Sequence, residues 1–124
     1  MAYLKVEIGD LKQQIYELCD AEVFIGRNPS CQICLDSCVV MRRQAVVIRG
    51  HADVMRGPIV SGMPRVTRIL TGDGTHHLLD LDSKTGTFLN GERLSCLKSR
   101  ELRDGDLIQI AETTFSFHQE TPPQ

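Results

Sequence analysis

The chain has 124 residues, a length that suits one domain, and its 41% hydrophobic and 24% charged residues are ordinary globular usage. With Lys+Arg at 14 against Asp+Glu at 16, the formal net charge is −2, which argues against a generic nucleic-acid or membrane-surface binder because such proteins carry a basic excess. No run approaches the ~18 apolar residues of a membrane span, and the opening residues lack the basic-then-apolar order of a signal peptide. Five cysteines cannot all pair within one chain, so reduced thiols and an intracellular location, nuclear or cytoplasmic, are expected.

The apolar spacing favours strands. Leu4, Val6 and Ile8 alternate with Lys5 and Glu7, the period of a half-buried strand. Residues 15–18 and 23–25 read as further short strands; the three-and-four spacing of Leu11, Ile15 and Leu18 also fits a helical turn, but its neighbours are strands of similar length. Ala45-Val46-Val47-Ile48 is a β-branched run and reads as a buried strand. The stretch 50–64, with recurring Gly and Pro, reads as a long loop that is mobile or projects from the edge of the fold. Residues 66–70 and 77–81 read as a hairpin about the Gly-rich turn 71–74. Asp104-Gly105 signals a turn before the strand 107–110, and 115–117 gives the last strand. Residues 120–124 read as a tail or the start of a linker.

Three segments carry side chains suited to an anion. Gly26 allows a sharp turn after a strand, and Arg27 follows it with a planar fork of donors matched to phosphate or carboxylate oxygens. Arg42 and Arg43 stand at the entrance of the β-branched strand; if the strand has begun there, their side chains alternate and at most one joins Arg27. Ser83-Lys84-Thr85-Gly86 is a short polar loop with two hydroxyls and an ammonium, and Asn90-Gly91 is a strong hairpin signal.

Taken in order, these pieces resemble a forkhead-associated (FHA) domain. The resemblance runs from 23 to 117: Gly26-Arg27, the Arg42-Arg43 strand entrance, Ser83-x-x-Gly86-Thr87-Phe88-Leu89-Asn90-Gly91, then Leu102-x-Asp104-Gly105-Asp106-x-Ile108-x-Ile110. It implies an all-β SMAD/FHA-type sandwich of about eleven strands in Greek-key-like antiparallel sheets, filling residues 1–119, whose loops at one end bind a phosphothreonine in an extended peptide. Carried over residue by residue, Arg27 matches the family's phosphate-binding arginine, Arg42 stands where several members place a basic or polar contact, and Ser83 matches in the later loop. Four positions depart: Met41 replaces a serine that donates to phosphate, Gln44 a structural histidine, Lys84 a threonine, and Thr85 the asparagine that grips the peptide backbone. The resulting expectation is a phosphopeptide site of Arg27, Arg42, Ser83, Lys84 and Thr85 with an altered phosphate grip.

Other constellations carry less. Cys31-x-x-Cys34, with Cys38 beyond, lacks a second pair of metal-ligand spacing, and alternation along a strand would turn Cys31 and Cys34 to opposite faces. His76-His77 cannot chelate together on a strand for the same reason. Asp80 and Asp82 share a face but read as solvated loop carboxylates, and no nucleophile elbow or phosphate-cradling Gly-rich motif occurs. The expectation is therefore a non-enzymatic interaction module for a phosphorylated protein, with no cofactor, metal, nucleic-acid or membrane partner and no assigned oligomeric state. The alternatives are a phosphate-independent scaffold of the same shape, binding through its sheet face or loops, and a zinc-stabilised domain built on the cysteines.

Overall fold

The structure, a computed structural model, describes residues 2–9, 13–49, 51–60, 63–69, 75–95 and 98–119, with 51–60 and 63–69 described by their strands alone. The described residues form thirteen strands and no helix: β1 Tyr3–Ile8, β2 Ile15–Glu17, β3 Glu22–Gly26, β4 Ile33–Cys34, β5 Ala45–Arg49, β6 His51–Val60, β7 Met63–Ile69, β8 His76–Asp80, β9 Phe88–Leu89, β10 Glu92–Arg93, β11 Arg100–Leu102, β12 Leu107–Ile110 and β13 Thr113–His118. One sheet runs β10-β9-β12-β13-β1-β2, entirely antiparallel, and a second runs β11-β8-β5-β3-β4, antiparallel apart from its β3–β4 edge. The eleven strands of these two sheets match the expected sandwich, and β6 and β7 make a separate two-stranded ribbon. Among the described residues no helix is long and apolar enough to cross a membrane.

Alternation builds the core. Leu4 and Val6 of β1, Ile108 and Ile110 of β12, and Phe115 and Phe117 of β13 face Val23 and Ile25 of β3, Val47 of β5 and Leu78 of β8 in one buried cluster. Ile8 leaves the pattern and is 61% exposed, because the pairing with β13 slips by a residue between Val6 and Ile8. The second sheet is apolar on both faces. Val46, Ile48, Leu79 and Leu81 form a smaller buried cluster on its outer side, with Phe24 packed against it. That is why the run Ala45-Val46-Val47-Ile48 is apolar at every position rather than every other one.

Two expectations are corrected here. The stretch 50–64 is not a long loop: His51–Val60 is a strand paired antiparallel to Met63–Ile69. Gly57 and Pro58 misled because they fall inside the irregular part of that pairing, between Met55 and Val60, where a residue without an N–H breaks no ladder bond. Nor do 66–70 and 77–81 form a hairpin. Val66 pairs with Val54, while His76–Asp80 lies between β5 and β11. All five residues of β8 are buried, so it is an interior strand that a long-range partner stabilises better than a local turn. The turn 71–74 and the tail 120–124 lie outside the described residues.

Candidate functional site

Backbone contacts bring two loops together at the end of β3. The Arg27 N–H donates to the Met41 carbonyl at 2.9 Å, and the Asn28 N–H to the Arg42 carbonyl at 3.1 Å. This close approach is possible because residue 26 is glycine: a Cβ there would fall on the Arg42 carbonyl group and within 2.9 Å of the Arg43 Cα. Arg27 and Arg42 are thereby set side by side, both exposed.

A third loop, 81–87, is held from beneath. The buried Asp80 carboxylate accepts the Ser83 N–H at 3.1 Å, the Ser83 hydroxyl and the Thr87 hydroxyl, and the Ser83 Oγ in turn accepts the Gly86 N–H at 3.1 Å. The Asn90-Gly91 turn has positive φ at both residues, 51° and 83°, and closes the β9–β10 hairpin. From that hairpin, Arg93 Nη2 donates to the Lys84 carbonyl at 3.3 Å. Lys84 and Thr85 are left exposed at the tip.

Gln44 fastens the loops to one another. It is fully buried. Its Oε1 accepts the Met41 N–H and its Nε2 donates to the Gly86 carbonyl, both at 3.1 Å. Its own backbone donates to Ile25 and accepts from Leu81. Across the top, the Thr85 hydroxyl donates to the Val39 carbonyl at 3.1 Å.

Between these loops lies an open groove of about 750 Å³, with Arg27, Arg42, Arg43 and Lys84 on it and, among the described residues, no acidic residue in its lining. Val39, Val40, Met41 and Leu81 supply an apolar side. Arg27, Arg42, Lys84 and Thr85 of the expected site are brought together here. Ser83 is not: it is 6% exposed, does not line the groove, and its hydroxyl is engaged by Asp80 and Gly86. Arg43 joins although the strand reading allowed only one of the arginine pair. Residues 42 and 43 form a turn, and β5 begins at Ala45, so the side chains do not alternate across a sheet. The Arg43 guanidinium sits over the Phe24 ring, 5.0 Å from its centroid.

Cys31 is buried and Cys34 exposed, so the pair faces opposite ways, and their thiols donate to the carbonyls of Arg42 at 3.3 Å and Arg27 at 3.5 Å. Burial pushes the Cys31 thiol above its ordinary pKa. Neither Cys19 nor Cys38 is in a disulfide among the described residues, and Cys96 lies outside them. Among the described residues no group of three potential ligands could hold a metal ion.

Comparison with known proteins places this geometry in a family. The family model for the FHA domain matches residues 23–111. Among solved structures, EmbR of Mycobacterium tuberculosis, in complex with a low-affinity phosphopeptide, is similar to this chain with 25% identity and a TM-score of 0.72, covering 99% of this chain and 25% of that one. The chain thus spans about a quarter of the length of that protein. The FHA domain of an Arabidopsis thaliana hypothetical protein is similar with 18% identity and a TM-score of 0.74, covering 99% of this chain and 88% of that one. The FHA domain of the CT664 protein of Chlamydia trachomatis is similar with 17% identity and a TM-score of 0.70, covering 97% and 98%. Comparison with curated proteins gives no significant match. The match to the family model over most of its length shows that this chain belongs to the FHA domain family, whose members are interaction modules and not enzymes.

Proposed function

We propose that the chain recognises a phosphothreonine-containing segment of a partner protein in the groove of Arg27, Arg42 and Lys84. The observation that carries this reading is electrostatic. Three exposed cations converge on one groove; among the described residues none that lines it is acidic and none of the three cations is in an ion pair, in a chain whose net charge is −2. An anion with several acceptor oxygens is the ligand such a cluster fits, and the phosphopeptide on EmbR supports the same chemistry.

The altered positions define how the phosphate is held. Arg27 supplies a bidentate fork, and Arg42 and Lys84 add charge from the two flanking loops. Met41 offers a thioether where a hydroxyl would donate, so one charge-assisted bond is missing. Thr85, with its hydroxyl on the Val39 carbonyl, closes the rim rather than gripping the peptide. Ser83 acts as a positioning residue that shapes the Lys84 loop.

The test is titration of one phosphothreonine peptide and its plain twin. Arg27→Ala should weaken phosphate-dependent binding about ten- to hundredfold, the range for losing charged hydrogen bonds. Its melting temperature should match the native chain's, because Arg27 is exposed. Met41→Ser should strengthen binding by restoring a donor beside the phosphate. Equal binding of both peptide forms would replace this reading with the phosphate-independent scaffold.

A further inference from the structure

We infer that Arg43, poised on the Phe24 ring, is a specificity-determining residue that reads an acidic side chain flanking the phosphothreonine; the inference rests on the phosphothreonine reading above. Among the described residues the groove carries four cations and no carboxylate. A phosphothreonine brings a charge of about −1.5 to −2 at neutral pH. Arg27, Arg42 and Lys84 already exceed that, so Arg43 is left without a counter-charge when a lone phosphate is bound.

Its setting differs from that of the other three. The guanidinium lies over the Phe24 ring, and Phe24 is itself packed on the buried cluster of Val46, Ile48, Leu79 and Leu81. Contact with a ring face orders the side chain without engaging its N–H donors in a hydrogen bond. The rotamer entropy that an exposed arginine loses on binding is therefore partly lost beforehand. No ion pair or hydrogen bond from the Arg43 side chain to a described residue occupies those donors. An ordered guanidinium with a free fork fits a carboxylate in two-point fashion. At about 750 Å³ the groove is large enough to hold residues beside the phosphorylated one. The ligand class is thus narrowed to phosphothreonine segments with Asp or Glu nearby.

The experiment titrates the full chain with an alanine-background phosphothreonine peptide in which one Asp is scanned through the positions on either side. At one position Asp should raise affinity about three- to fivefold over Ala, the worth of a partly exposed ion pair, and Lys there should lower it. In Arg43→Gln the Asp-to-Ala affinity ratio should fall to about one, in Arg43→Lys it should be partly kept, and in Phe24→Leu it should shrink because the ring is gone. In Arg42→Gln both affinities should fall while the ratio persists. Equal binding of Asp and Ala peptides at every position, or a ratio that survives Arg43→Gln, overturns the assignment and leaves phosphothreonine recognition standing. If no phosphorylated peptide binds better than its plain twin, both readings fall.

Discussion

Gly26 does at the residue scale what no other side chain could do there. It lets the Arg42 carbonyl approach the end of β3, and so sets the two arginine-bearing loops against each other. A methyl group at this point meets backbone on both the Arg42 and Arg43 sides, and backbone cannot rotate away as a side chain can. Gly26→Ala is therefore expected to destabilise the fold by about 1–3 kcal/mol, the range for forced overpacking, and chemical denaturation would read it. The same substitution should weaken phosphopeptide binding more than its stability cost explains, because it separates Arg27 from Arg42. The sequence signalled this residue through the Gly-Arg pair after an apolar run. It did not signal Ser83's role. A hydroxyl beside a lysine and a threonine in a polar loop reads as a ligand contact, and only the fold shows it turned under the loop onto Asp80. The spacing Asp80-x-x-Ser83 was the available clue, since an aspartate commonly caps a backbone N–H a few residues on.

Between elements, the site depends on loops that belong to different strands, and Gln44 is the joint. Its amide satisfies one donor on the 41–43 turn and one acceptor on the 83–86 loop, at the base of the groove. Gln44→Ala leaves the part-buried Met41 N–H and the buried Gly86 carbonyl without that partner, at a cost of roughly 1–3 kcal/mol for the buried carbonyl and less for the N–H that water can reach. Thermal unfolding should show the loss. Titration of the refolded variant at low temperature should show weaker phosphopeptide binding with the arginines intact. Gln44→Met separates shape from hydrogen bonding, since it keeps the length of the side chain and loses both bonds. Most strands of the two sheets were legible because their apolar periods are local properties of the chain. The β6–β7 ribbon was not, since its irregular register admits Gly57 and Pro58, which otherwise mark loops. The partners of β8 were not legible either, because a Gly-rich turn looks the same whether the flanking strands pair with each other or with distant ones. Arg43 was missed for a related reason: alternation would let only one of the arginine pair join Arg27 if the strand had begun there, whereas β5 begins at Ala45 and the pair lies in a turn.

For the molecule as a whole, the sandwich places its basic groove at one end of the second sheet and a buried histidine on the first residue of that sheet's β8. His76 is 6% exposed. Its ring lies 5.6 Å from the Phe117 ring across the core, and neither ring nitrogen has a hydrogen-bond partner among the described residues. Burial lowers its pKa below the ordinary value of 6.5, and the neighbouring Arg49 and His77 lower it further. In the folded chain His76 thus stays neutral at a pH where the unfolded chain takes up a proton. Above the unfolded value of 6.5 neither state binds that proton, and His76 adds no pH dependence. As pH falls below it the unfolded state is favoured, by up to about 1.4 kcal/mol per pH unit for one proton, until the folded pKa is reached. The melting temperature should therefore be flat from pH 8 to about pH 7 and decline toward pH 5. His76→Leu removes the titrating group and keeps an apolar side chain against Phe117, so it should flatten that decline and raise stability most at the acidic end. A slope unchanged in His76→Leu would assign the acid sensitivity to other groups.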